Sequence, residues 1–252
     1  MGILRLADVV FPDAGKREEF HKIIDLLINE LLNTRSAVIE INKLWSDHAH
    51  KIAQGEIVRV EASIVHISEN IDAELRRQTE SFLNTATRAL KNSMQDVATF
   101  FCVNIGFLFQ NQNLFVQAVE QLAITDVALA EYLRQTRTNW SQTLLTRRIA
   151  LEHDRWMLPK VTYSRHGDGA RAIEPQIAGQ PVSKFANFML DRLFCFVEEI
   201  SVHCLERRMP NGVTITEIPL SQREAEKPER FQVTITPGGM LPWGIVYHQT
   251  AF

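Results

Sequence analysis

Apolar residues recur at spacings of three and four from the start of the chain. Phe20, Ile23, Ile24, Leu27, Leu31, Val38, Ile41 and Trp45 trace one stripe, which predicts a long amphipathic helix. Asp13 or Gly15 stands where a cap belongs, and Glu18 and Glu19 suit the first turns. Asp47-His48-Ala49-His50 and then Gly55 mark its end. The segment 58–64 alternates apolar and polar residues as a strand would, but Ile64, Ile67, Ile71, Leu75, Phe82, Ala86, Leu90, Val97 and Phe101 return to helical spacing. The expectation is helix throughout 57–105. Unbroken, it would run roughly 70 Å, so it needs a kink or a break.

Gly106 and the amide-rich 110–113 predict a turn, followed by a short helix over 114–123. Asp126 is an N-cap candidate for a helix carrying Leu129, Leu133, Trp140, Leu144 and Leu151, which must stop before Pro159. Segment 160–182 is rich in Gly, Pro and charge and reads as a long loop. Ser183 caps the next predicted helix, from Lys184 to about Arg208, with Phe185, Phe188, Met189, Leu193, Phe196, Ile200 and Leu205 as its apolar positions. Beyond Pro210-Asn211-Gly212 the texture turns β-like at 213–218 and 231–236, with a third short strand expected at 244–248.

Composition supports this division. Of nine prolines, only Pro12 precedes Pro159, and the glycines between them are Gly15, Gly55 and Gly106. A βαβ architecture would need more turns than that. The predicted class is mainly α, an antiparallel bundle of long helices with a small C-terminal β appendage. The bundle is expected over 1–208, with loop 159–182 inserted before its last helix, and the appendage over 209–252.

At 45% hydrophobic and 23% charged, the 252 residues describe a globular chain with enough length to bury a core unaided. No apolar run is long enough for a bilayer, so no membrane association is expected. The first eight residues carry too short an apolar core for a secretory signal. Cys102, Cys195 and Cys204 form no CxxC pair, which suits a reducing cytoplasm. A net charge of −3 argues against a general nucleic-acid coat but leaves room for a local basic cleft.

The chemistry concentrates in Arg147-Arg148-Ile149-Ala150-Leu151-Glu152-His153-Asp154-Arg155-Trp156. Arginine offers a permanently charged planar fork for phosphate oxygens, and histidine can move a proton near neutral pH. On an ideal helix, however, Arg148 and His153 lie about 140° apart and Arg147 and His153 about 120° apart. Neither pair converges on one straight helix. A compound site would need a bend, or a second motif facing the first across a dimer axis. Arg148 and Glu152, at i,i+4, share a face and can pair. Arg147 falls on the row of Trp140, Leu144 and Leu151, so it is either buried with a partner or at the edge of that stripe.

An arginine followed by four to six residues and a histidine on a helical bundle resembles the HEPN superfamily. The string from Arg148 to Pro159, with Tyr163 soon after, resembles a bacterial branch in which an R-N-x-x-E-H core precedes Trp and Pro; here Ile149 stands where a polar residue is usual. The resemblance spans roughly residues 14–208. It implies a metal-independent endoribonuclease in a defence or toxin–antitoxin setting, needing no cofactor and acting on single-stranded RNA as a homodimer. Arg148 or Arg147 would hold the scissile phosphate and His153 would serve as acid or base. Glu152, Asp154 and Arg155 would support them, and an antitoxin or other protein partner is implied. The family equally includes catalytically silent nucleotide-binding or protein-interaction modules.

Other groupings carry less. Glu18-x-x-His21 and Asp47-x-x-His50 have the spacing of di-iron ligands, but both sit on one helix, whereas such centres draw on several, so no metal site is expected. Glu199 and His203 read as a surface pair at i,i+4. Arg134, Arg137, Arg147, Arg148 and Arg155 form an expected basic strip, suited to an RNA groove or an acidic partner. The Arg165 to Gly169 loop would flank that groove. Gly238-Gly239 is no phosphate-binding fingerprint, and no Gly-x-Ser-x-Gly elbow exists.

Overall fold

The computed structural model describes residues 10–61, 64–166, 169–209, 211–223, 229–235 and 239–246. The fold is mainly helical, with helices packed together and small antiparallel β elements, including a C-terminal sheet.

Helix α1 spans Ala14–Gln54. Asp13 caps it, its carboxylate accepting the Lys16 N–H at 2.8 Å, and Gly55 ends it with a φ of 74° that a side chain would resist. The predicted stripe is buried: Phe20, Ile24, Leu27, Leu31, Val38 and Ile41 all face the core.

The helix expected from 57 does not start there. Val58–Glu61 (β1) and Ile64–Ile67 (β2) pair as an antiparallel hairpin, with Val58 opposite Ile67. The period-two alternation at 58–61, with two β-branched valines, was the governing signal. Helix α2, Asp72–Arg88, then runs back along α1. Lys51 pairs with Glu69 at 2.6 Å at one end and Arg88 with Glu30 at 3.1 Å at the other, so the two are antiparallel. A π-helical turn, Ala89–Ser93, leads into α3, Met94–Phe100. Leu75, Phe82, Leu83, Leu90 and Met94 are fully buried along this face.

A 3-10 turn, Gly106–Phe109, precedes α4, Gln112–Ala123, which Asn111 caps. Asp126 caps α5, Val127–Thr136, by accepting the Leu129 N–H at 2.9 Å, as its position predicts. A second π turn, Arg137–Ser141, joins α5 to α6, Gln142–His153, so 127–153 is one helical run with a widened turn inside it.

Segment 160–182 is not a loop. Thr162–His166 (β3) pairs with Gly169–Ile173 (β4), and Gln176–Ile177 (β5) with Gln180–Pro181 (β6). Ala178 and Gly179, both at positive φ (51° and 80°), make the two-residue turn that primed hairpins use. Charge and glycine content hid these short strands. Ser183 is likewise not a cap: α7 covers Val182–Glu206, and the Glu174 carboxylate accepts the Ser183 N–H at 2.7 Å from outside the helix.

The C-terminal sheet has the order β7 (Val213–Glu217), β8 (Glu229–Ile235), β9 (Gly239–Val246), all antiparallel. The third strand starts earlier than the expected 244, and 247–248 lie outside the described residues. Ile215, Phe231 and Val233 are buried and join the same hydrophobic cluster as the helices. Among the described residues, no helix is long and apolar enough to cross a membrane.

Candidate functional site at the end of α6

The last turn of α6 carries the residues singled out by the sequence. Arg148 Nη1 lies 2.8 Å from Glu152 Oε2, and His153 Nε2 lies 3.8 Å from the same oxygen. Glu152 thus bridges two side chains that helical geometry sets far apart around the axis. The His153 side chain is 68% exposed, so it is open to a ligand or a partner, whereas that of Arg148 is only 25% exposed and lies along the helix.

Arg147 turns elsewhere. Its guanidinium carbon stands 6.0 Å from the Trp156 ring, a cation–π contact at the edge of the apolar stripe. The chain doubles back to bring Trp156 there. Asp154 and Trp156 both donate their N–H to the Ala150 carbonyl, at 3.0 and 3.1 Å, and Arg155 takes a left-handed φ of 53°. Asp154 and Arg155 are exposed on this turn. Leu158 and Val161 then dive into the core, and the Val161 N–H donates to Asp72 at the start of α2. Two apolar side chains stay exposed around the motif, Ile149 at 53% and Met157 at 57%.

Glu152, then, unites Arg148 with His153, while Arg147 belongs to a separate contact with Trp156. The expected basic strip does not form one surface. Arg137 is buried and Arg134 pairs with Glu131. Arg165 and His166 belong to β3 and Gly169 to β4, and 167 and 168 lie outside the described residues.

One other expectation is redirected. Glu199 does not pair with His203: it meets Arg230 at 2.6 Å, while His203 sits 3.0 Å from Asp126. The packing of the C-terminal sheet and of α5 against α7 supplies partners from distant sequence. Glu18 pairs with Lys22 and not with His21, and among the described residues no group of three His, Cys, Asp or Glu side chains is placed to hold a metal.

One polar pair escaped the sequence reading. His48 is 1% exposed, and its Nε2 lies 2.8 Å from the Tyr163 hydroxyl. Burial pushes the imidazole below its ordinary value, opposed by Glu69 and Asp72, and burial likewise raises the Tyr163 hydroxyl. The pair ties the strand that follows the motif to α1. Its only signal was the helical position of His48, four residues before Ile52 and seven after Ile41, on the buried stripe.

No family model matches the chain, and no curated protein or solved structure matches it either.

Proposed function

We propose that the protein is a HEPN-like, metal-independent endoribonuclease whose site is the exposed end of α6, completed by the same end of a second copy. The observation that carries this reading is the joining of His153 and Arg148 through Glu152 on a surface where His153 is two-thirds exposed. A base there removes the proton of an RNA 2′-hydroxyl, the oxygen attacks the adjacent phosphorus, and the bond to the 5′-oxygen breaks as an acid protonates it. An arginine fork stabilises the extra charge on the phosphoryl oxygens. One chain offers one histidine at this end, and two proton transfers are needed, which favours pairing of two motifs. The exposed Ile149 and Met157 give the end an apolar rim on which a second copy can seat. The test is cleavage of single-stranded RNA in EDTA: wild type cuts, and His153→Ala folds normally but does not. Cleavage that survives the substitution overturns the reading.

A second reading has its own support. Glu152 and Trp156 occupy Arg148 and Arg147 within the chain, as they would in a non-catalytic module that binds a nucleotide or an acidic protein such as an antitoxin. In that case clean protein binds but never cuts, and charge reversal at Arg148 abolishes binding.

A further inference from the structure

Arg137 opens the π turn between α5 and α6, in the middle of that helical run and well before the motif at its end. It is 6% exposed. Its guanidinium stacks 4.4 Å from the Phe115 ring centre, Nη1 donates to the Leu108 carbonyl at 2.7 Å, and Nη2 donates to the Gln110 carbonyl at 2.8 Å. Among the described residues no carboxylate pairs with it, and its Nε–H is buried without a partner. A positive charge removed from water normally has a counter-ion, because two carbonyl dipoles only partly offset the lost hydration. Burial alone moves this guanidinium below its ordinary value, and no neighbouring anion opposes that.

A cavity of about 370 Å³ adjoins the same side chain. Phe115, Val116 and Val119 form its apolar wall, Arg134 and Gln142 are among its polar residues, and Glu120 contributes its one carboxylate. That volume falls in the range of small-molecule sites, and a π turn interrupting an α-helix often accompanies such a site. The chemistry is selective. The wall takes a flat apolar body, and Arg137, which no carboxylate answers among the described residues, takes an anion; Arg134, half exposed and shared with Glu131 at 2.5 Å, can turn to the same ligand.

We propose that this cavity binds a small organic anion, a carboxylate or a phosphate ester on an aromatic body, with Arg137 and Arg134 as its counter-charges and Phe115 and Val116 against its ring. The site stands apart from the α6 motif: Arg137 precedes His153 by sixteen residues, roughly 24 Å of helix, so it does not depend on RNA cleavage. Arg137 both pins the turn before α4 and supplies the charge the ligand answers.

The experiment is a titration of the full chain, labelled with nitrogen-15, that follows the Arg137 Nε–H resonance, assigned through its own backbone. Phenyl phosphate, benzoate and the neutral benzyl alcohol are the probes. A saturable shift with either anion and none with the alcohol is expected, and the stronger of the two anions identifies the head group. Arg134→Gln should weaken binding about tenfold, as loss of one charge-assisted contact does. Val116→Trp, at a 40% exposed rim position, should block it without disturbing the core. A resonance unmoved by both anions, a shift equal with the alcohol, or binding unaffected by Val116→Trp would each overturn the proposal.

Discussion

Arg148 and His153 meet on one carboxylate: both side chains approach Oε2 of Glu152, at 2.8 and 3.8 Å. The helix alone keeps them apart, so Glu152 decides whether they act together. It also competes with any phosphate for Arg148. With Glu152 half exposed and the two residues at i,i+4, the pair is worth only a few tenths of a kcal/mol. Glu152→Gln should therefore leave the melting temperature nearly unchanged while tightening RNA binding severalfold, measured by fluorescence anisotropy. Unchanged or weaker binding would show that Arg148 does not contact the nucleic acid.

The His48–Tyr163 pair makes a separate prediction. Tyr163→Phe removes the hydroxyl and leaves a buried imidazole nitrogen unpaired, which should cost about 1 to 2 kcal/mol in a denaturant titration. Because burial holds the folded His48 below its ordinary 6.5, the unfolded chain binds the proton more readily. Its contribution to stability is complete above pH 6.5 and is lost as pH falls through the lower folded value. His48→Gln should flatten that acid limb relative to wild type.

Glu198 has the opposite sign. Its side chain is 4% exposed, one oxygen has no hydrogen-bond partner among the described residues, and burial raises it to about 7 despite Arg230 at 3.0 Å. Here the folded state holds the proton more tightly. The associated stability is complete below the ordinary 4.5 and is lost as pH rises through about 7, on the order of 3 kcal/mol in all. Glu198→Gln mimics the protonated form, so its advantage over wild type should grow between those two pH values. Equal pH profiles for the two proteins would refute the assignment.

Ala178 sits at a φ of 51°, where a β-carbon is strained. Ala178→Asn tolerates that geometry and suits the Asn-Gly turn with Gly179, so it should stabilise the protein by about 0.5 kcal/mol in thermal melts.

The long helices were legible because their burial has one period: the stripe from Phe20 to Ile41 and the caps Asp13 and Asp126 stand where spacing and side-chain chemistry put them. The hairpins were less so. At 58–67 a local strand pattern overlaps helical spacing that begins at Ile64, and cross-strand pairing of Val58 with Ile67 settles the segment as a hairpin. At 162–181 the strands are too short and too charged to stand out from a loop. The residues of the α6 motif were readable by type, but their grouping was not: Glu152 joining Arg148 and His153, and Arg147 turning to Trp156, depend on rotamers and on the left-handed step at Arg155. Arg137, read as surface charge, is buried because Leu108, Gln110 and Phe115 come from 22 or more residues earlier in the chain. Contacts of that kind leave no local pattern.

The central claim concerns the exposed end of α6, and the chemistry of RNA ends tests it most directly. In EDTA, wild-type protein should convert single-stranded RNA into fragments with 2′,3′-cyclic phosphate and 5′-hydroxyl termini. His153→Ala of unchanged melting temperature should produce none, and neither should wild type on a substrate lacking the 2′-hydroxyl at the cut position. Intact RNA after incubation with clean wild-type protein, or the same termini from His153→Ala, would contradict the account.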